Sequence, residues 1–364
     1  MQILFFGLTI SSSWGNGHAT NYRALLQALR DLNVDVVFYE RDVPYYAKHR
    51  DFDSCDYCEL ILYQDWATIR ESALRRAKAS DIVLTASYLP EGARISEDLL
   101  GVEGPLHVFY DLDTPITLNR LRNGGVDYLR PNLIPQFDLY LSFTGGSILG
   151  LLERSFGARR ALPLYGCVDP DLYVRVAPQP RFACDLSFMG TYAPDRADYI
   201  RELFMAAAER SREQSFLLAG SMYPPAWTWP SGVKLVEHVA PSDHPALYSS
   251  SRTTLNLTRS EMAHSGYCPS GRFFEASACG TPLLTDGWEG LECFFKLGEE
   301  LLVVRSTDDV VNALRLPDAE LARMAARARE RTLDEHTGRQ RAHQLLAACE
   351  DARHAKTTIA ETFS

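Results

Sequence analysis

Residues 1–40 read MQILFFGLTISSSWGNGHATNYRALLQALRDLNVDVVFYE. The apolar run Ile3 to Leu8 is short enough for a strand, the small polar loop SSSWGNGH follows it, and a helical stretch runs from Thr20 to Leu32. In that stretch Ala24, Leu25, Ala28, Leu29 and Leu32 recur close to the 3.6-residue period that buries one helix face. A second apolar run, Val34 to Tyr39, closes the unit. Strand, helix and strand in this order predict two parallel, buried strands joined by a crossover.

Working outward, the same kind of short β-rich run returns at Asp81 to Ala86, Pro105 to Tyr110 and Phe137 to Phe143. One doubly wound domain is therefore expected over residues 1–165. Next comes LPLYGCVDPDLYVRVAPQPRF, with Pro163, Pro170, Pro178 and Pro180 and no helical period, which predicts a linker over 166–182. The alternation restarts with Cys184 to Met189, a helix near 197–212, Ser215 to Ala219, Lys234 to Val236, Thr253 to Leu257, a helix near 272–278 and Thr281 to Thr285. That is a second α/β domain, 183–335. The stretch from Ala319 to Asp351 is rich in Ala, Arg, Glu and Leu, so helices are expected to end the chain, the last of them within 336–364.

A length of 364 residues suits two cores better than one, and 46% hydrophobic with 23% charged residues is ordinary globular composition. The formal charge of −10 argues against nucleic acid or anionic lipid as a broad partner. The first residues carry no basic leader, and the longest apolar neighbourhood, Leu139 to Leu152, is broken by Gly145 and Gly146. A cytoplasmic protein without a membrane span is expected. Eight cysteines are too sparse for a disulfide framework and are expected to stay reduced. Cys55 and Cys58 form a CxxC without a second pair or a histidine at zinc spacing, and it reads as a local turn, with a metal or redox role as the lesser alternative.

In open α/β sheets ligands bind beyond the carboxyl ends of the strands, so candidate residues lie just after them. In the first loop Gly15 and Gly17 would let a ligand approach the backbone, and His18 stands immediately before a helix, either as a neutral base or as a capping residue. The loop is not GxGxxG, and Glu40 is a weak match to the ribose-binding acid, so a nicotinamide enzyme is not the reading. YDLDTP at 110–115 offers Asp111 and Asp113 as a general base or as turn caps. Its D-x-D spacing is the metal-diphosphate signature of a different architecture. The densest segment is TRSEMAHSGYCPSGRFFEASACGTPLLTD, 258–286. Pro269 and Ser270 precede a helix there, Arg259 and Arg272 supply forked cations, and Glu275 lies within its first turns. Free N–H groups at such a helix start suit a diphosphate, and the carboxylate suits two ribose hydroxyls. An internal Arg–Glu pair on a structural helix is the plainer alternative.

These residues carry a resemblance. HPALYSSSRTTLNLTRSEM and GYCPSGRFFEASACGTPLLTDGWEGLECFF resemble the donor domain of CgeB-like glycosyltransferases, relatives of the group 1 transferases of GT-B fold. SFMGTYAPDR, YDLDTP, FDLYLSFTGG and HTGRQRA are similar to the same pattern, so most of the chain is covered. The resemblance implies two Rossmann-like domains facing a cleft, the first for an acceptor and the second for a nucleoside diphosphate sugar, with the C-terminal helix crossing back to the first. It implies Glu275 as the ribose-binding acid. Arg259 and Arg272 would be diphosphate contacts, with Ser270 at the helix start, and Gly190 with Arg196 would form the loop after the second domain's first strand. Val236 to Val239, with His238 among them, would line the base. It also implies that no metal or other cofactor is required. Many retaining members carry a further glutamate eight residues before the ribose-binding one, and here Tyr267 stands in that donor-site position. Donor sugar, acceptor and stereochemical outcome stay open, with His18, Asp111 and Asp113 as candidate bases. The alternatives are a sugar-nucleotide epimerase of the same architecture and a non-catalytic nucleotide-sugar-binding protein.

Overall fold

A computed structural model describes residues 1–362. The chain divides into two compact units, one of residues 1–165 with 338–364 and one of residues 166–337. The first holds a seven-stranded sheet: β1 (Gln2–Gly7), β2 (Asp35–Arg41), β3 (Glu59–Tyr63), β4 (Ile82–Ala86), β5 (Leu106–Asp111), β6 (Leu139–Ser142) and β7 (Ala161–Pro163). Every pairing is parallel and the order is β3-β2-β1-β4-β5-β6-β7. The second unit holds β8 (Cys184–Met189), β9 (Phe216–Ala219), β10 (Val233–Val236), β11 (Ser251–Asn256), β12 (Leu283–Thr285) and β13 (Leu302–Val303), again parallel, in the order β10-β9-β8-β11-β12-β13. Both are doubly wound sheets. The strand order reverses between β1 and β4 in one and between β8 and β11 in the other, and each reversal opens a crevice at the carboxyl ends of its strands.

Strand composition explains the sheets. Phe5, Phe6 and Phe38 are fully buried, as expected where helices cover both faces of a parallel sheet. The first helix, His18–Asp31, buries Ala24, Leu25, Ala28 and Leu29 of the face that the periodicity predicts, with Tyr22 and Leu26 beside them, while Leu32 falls just past its end and is half-buried. The last helix, Gly338–Thr362, packs on it through a close approach: a Cβ at Gly338 would stand 2.2 Å from the Ala24 carbonyl oxygen. Only glycine fits there.

The segment 166–182 is not a loose connection. Val168 bridges Thr337 within the second unit, Tyr173 is buried, and the N–H groups of Val176 and Gln179 donate to the hydroxyls of Ser249 and Ser250 at 3.0 and 2.7 Å. Its prolines stop helix formation, and side-chain hydroxyls take up the backbone groups that a ladder would otherwise satisfy. In the second unit the helix after β8 contains a wide turn of π type over Ile200–Met205, a feature that composition does not announce.

Candidate functional site

The crevice between β8 and β11 gathers two arginines. Gly190 follows β8, and a Cβ there would come within 2.7 Å of Arg272 Nη1 and 3.5 Å of Arg196 Nη1, so the absent side chain is what admits both guanidiniums. Arg272 donates to the carbonyls of Met189, at 2.6 Å, and Leu257, at 3.4 Å. Arg196 donates to Leu257, at 3.4 Å, and to Thr191. The two cations thus reach the end of β8 and the residue just after β11, the strands that flank the reversal, and Arg272 and Arg196 lie over the buried Phe188 ring at 5.8 and 6.0 Å. Among the described residues neither makes an ion pair with a carboxylate. Arg196 is only 6% exposed, and its Nε is buried without a hydrogen-bond partner. Burial, and then the neighbouring Arg272 charge, pull its guanidinium down to about 10. Two adjacent cations, one of them desolvated, are an arrangement that an anion relieves.

The helix Gly271–Ala278 starts beside them. Ser270 does not cap it: its hydroxyl donates to Asn256 Oδ1 at 2.7 Å rather than accepting from the first-turn N–H groups. Glu275 is buried, one turn in. Its Oε2 lies 4.0 Å from His244 Nδ1, while Oε1 lies on the side of Gly271, 3.8 Å from where a Cβ would stand. One oxygen therefore faces an inner polar group and the other the helix start. In that inner group His244 Nε2 lies 3.1 Å from the Val239 carbonyl, and Tyr173 Oη 3.0 Å from His244 Nδ1. Burial lowers the His244 imidazole, and burial with the Glu275 charge raises the Tyr173 and Tyr248 phenols. A neutral imidazole that donates from Nε2 accepts the Tyr173 proton at Nδ1.

Other expected residues sit differently. Arg259 is no unshared diphosphate contact: its Nε pairs with Asp195 at 3.2 Å, and the same Asp195 oxygen accepts the Ser260 N–H at 3.2 Å. That carboxylate anchors the loop that carries Arg196. Tyr267 has a left-handed backbone, φ 47°, donates its N–H to Glu289 at 2.7 Å and lies so close over Gly290 that a Cβ there would stand 2.3 Å from the ring. It is a packed ring rather than a stand-in for an acid. His238 is exposed beyond β10. Two contributors escaped the sequence reading. Tyr223 donates to the Gly190 carbonyl at 2.8 Å, and Gly220 lies where a Cβ would stand 2.1 Å from that same oxygen. The glycine after β9 was a signal for this contact; Tyr223 gave none.

In the first unit the crevice between β1 and β4 brings His18 and Asp113 together. His18 opens its helix, its N–H donates to Asn16 Oδ1 at 2.9 Å, and its Nε2 stands 4.0 Å from Asp113 Oδ2. Tyr88, itself left-handed at φ 64°, donates its hydroxyl to the same oxygen at 2.7 Å. The side chains of His18 and Asp113 keep about a fifth of their surface, 21% and 19%. Burial lowers the His18 imidazole, opposed in part by Asp113, which favours its neutral form.

Asp111 does not share this position. It is fully buried and accepts from Tyr140 Oη at 2.6 Å, Thr117 Oγ1 at 2.9 Å and the Asp113 N–H at 3.2 Å. Burial raises its carboxyl to about 6. It shapes the turn that presents Asp113 and cannot touch a ligand. Gly15 is left-handed at φ 61°, whereas Gly17 has an ordinary helical φ of −74° and open space at its Cβ, so no close approach requires glycine at 17. The Glu40 carboxylate accepts the N–H groups of Ile10, at 2.8 Å, and Ser11, at 3.0 Å, so it is taken up by the loop's own backbone. Among the described residues no three His, Cys, Asp or Glu side chains are grouped to hold a metal, and no helix is long and apolar enough to cross a membrane.

Residues 196–347 match a family model described as "Glycosyl transferase-like". No curated protein matches the chain. Among solved structures it is similar to sucrose-phosphate synthase from Thermosynechococcus elongatus, at 14% identity and a TM-score of 0.67 over 98% of this chain and 100% of that one. It is also similar to HepE of Anabaena, solved with UDP and glucose, at 12% identity and a TM-score of 0.68 over 96% and 100%. A third similar structure is an alpha-glucosyltransferase solved with UDP, at 12% identity and a TM-score of 0.72 over 96% and 100%. The two sheets, with this strand order, are the GT-B architecture, and the stretch that resembles the glycosyl transferase-like model takes in β9 to β13 and runs into the last helix.

Proposed function

We propose that the protein is a glycosyltransferase that moves a sugar from a nucleoside diphosphate sugar held by the second unit to a hydroxyl acceptor held by the first. The observation that carries this reading is the pair Arg196 and Arg272 on the β8/β11 reversal, neither in an ion pair with a carboxylate among the described residues, beside a helix start that its N-cap side chain leaves uncapped. Those groups would bind the diphosphate and stabilise the charge that grows on it as the glycosidic bond breaks, the part that a metal plays elsewhere. Glu275 would accept from the ribose hydroxyls through the oxygen that faces Gly271. His18, oriented by Asp113, would take the acceptor proton, which implies inversion at the anomeric carbon. A CgeB-like placement belongs to the same proposal and rests on the motifs around Glu275. The similar folds solved with UDP make a uridine nucleotide the first donor to try.

The test is an incubation of the full chain with UDP-glucose and other sugar nucleotides without acceptor, followed by chromatography. Slow release of UDP and free sugar, abolished in Arg272→Ala, is expected. Formation of an epimeric sugar nucleotide instead would make the protein an isomerase, and binding without any turnover, also with added acceptors, would make it a binding protein.

A further inference from the structure

The CxxC of the first unit is more than a turn. Cys55 Sγ and Cys58 Sγ stand 3.4 Å apart, both partly exposed, on a segment fixed from both sides. Asp51 accepts the Ser13 N–H at 2.9 Å and pairs with Arg23 at 2.6 Å, and its own N–H donates to the Ser11 carbonyl at 2.7 Å. The Arg23 guanidinium lies 4.8 Å over Phe52, whose ring meets Tyr57 at 6.4 Å. Ser12 donates to the His49 carbonyl at 2.7 Å, and the Trp14 and His49 rings stack at 4.0 Å. The two thiols are thus held face to face by a bonded framework, and no third thiol, histidine or carboxylate completes a metal site among the described residues.

We propose that Cys55 and Cys58 form a redox-active dithiol site that low-molecular-weight disulfides such as oxidised glutathione convert to an internal disulfide. The Cys55 thiolate attacks one sulfur of the oxidant; a mixed disulfide forms and one thiolate leaves, taking up a proton. Cys58 then loses its proton, its sulfur attacks Cys55 Sγ, and the second small thiol departs. The cysteines lose two electrons and the oxidant gains two. Cys55 is the attacking sulfur, because the Cys58 hydrogen bond favours its thiolate while the same contact and burial raise Cys58.

This inference is independent of the proposed transfer reaction. The full-length protein, treated with oxidised glutathione at neutral pH and mapped by mass spectrometry, should lose two hydrogens within the peptide that holds residues 55 and 58 and regain them with dithiothreitol. In Cys58→Ser the reaction should stop at a stable glutathione adduct on Cys55, formed roughly tenfold faster than on the exposed Cys293. Adducts on Cys293 while Cys55 and Cys58 remain reduced, or a wild-type Cys55 adduct that never resolves, would overturn the assignment.

Discussion

The two crevices occupy the same place in two sheets of the same winding, yet they hold opposite chemistry. Between β8 and β11 two arginines meet backbone carbonyls and, among the described residues, make no ion pair with a carboxylate; around the loop after β1 the cations are already matched. On the β2 side of β1, Arg23 pairs with Asp51 and Arg50 with Asp42, while the groups left partly exposed at the reversal are an imidazole and a carboxylate. Topology fixes where a ligand sits, and the local charge balance decides which ligand. One crevice suits an anion, the other a proton transfer.

The comparison can be broken from either side. The largest effect is expected at His18: His18→Ala should lower kcat by about 10²–10⁴-fold while the affinity for UDP stays unchanged, read by steady-state kinetics beside calorimetry. A matching loss of UDP affinity would erase the distinction between the crevices. Arg272→Ala should do the reverse, weakening UDP binding by about 1.5–3 kcal/mol, the range for a charged hydrogen-bond partner, and Glu275→Ala should cost a similar amount through the ribose. Asp111→Ala should destabilise the fold by about 1–3 kcal/mol, because Tyr140 and Thr117 lose their buried acceptor, and should leave UDP binding intact; thermal melts and calorimetry check both halves.

The smallest effect sharpens the picture of the first crevice. As the proposed base, His18 would have to be neutral to act, and burial lowers its pKa below the usual 6.5 of histidine. The acid limb of kcat/KM should therefore fall below pH 6.5, with activity rising through it to a plateau at neutral pH. In Asp113→Asn the opposing charge is gone and the limb should move lower still. A limb that moves upward would contradict the pairing of His18 with Asp113.

The winding was legible in the sequence because buried parallel strands must be apolar and the helices between them must show a 3.6-residue period; residues 1–40 alone carry that message. The helix start at Ser270 was legible for a similar local reason. Pairing was not. Arg259 and Arg196 look alike in sequence, and only the fold sets Asp195 against the first while the second is left with carbonyls. Asp111 and Asp113 are two residues apart, yet one ends a buried strand and the other opens a helix on a partly exposed turn, so equal expectations separated completely. Spacing also hid the burial of Tyr173, whose partner His244 is distant in sequence.

The arginine pair on the β8/β11 reversal is proposed to hold a diphosphate. Calorimetric titration of UDP into the wild-type chain, Arg272→Ala and His18→Ala tests it most directly. The account predicts binding by the wild type and by His18→Ala with equal affinity, and a loss of about tenfold to a hundredfold in Arg272→Ala. Undiminished UDP affinity in Arg272→Ala would contradict it.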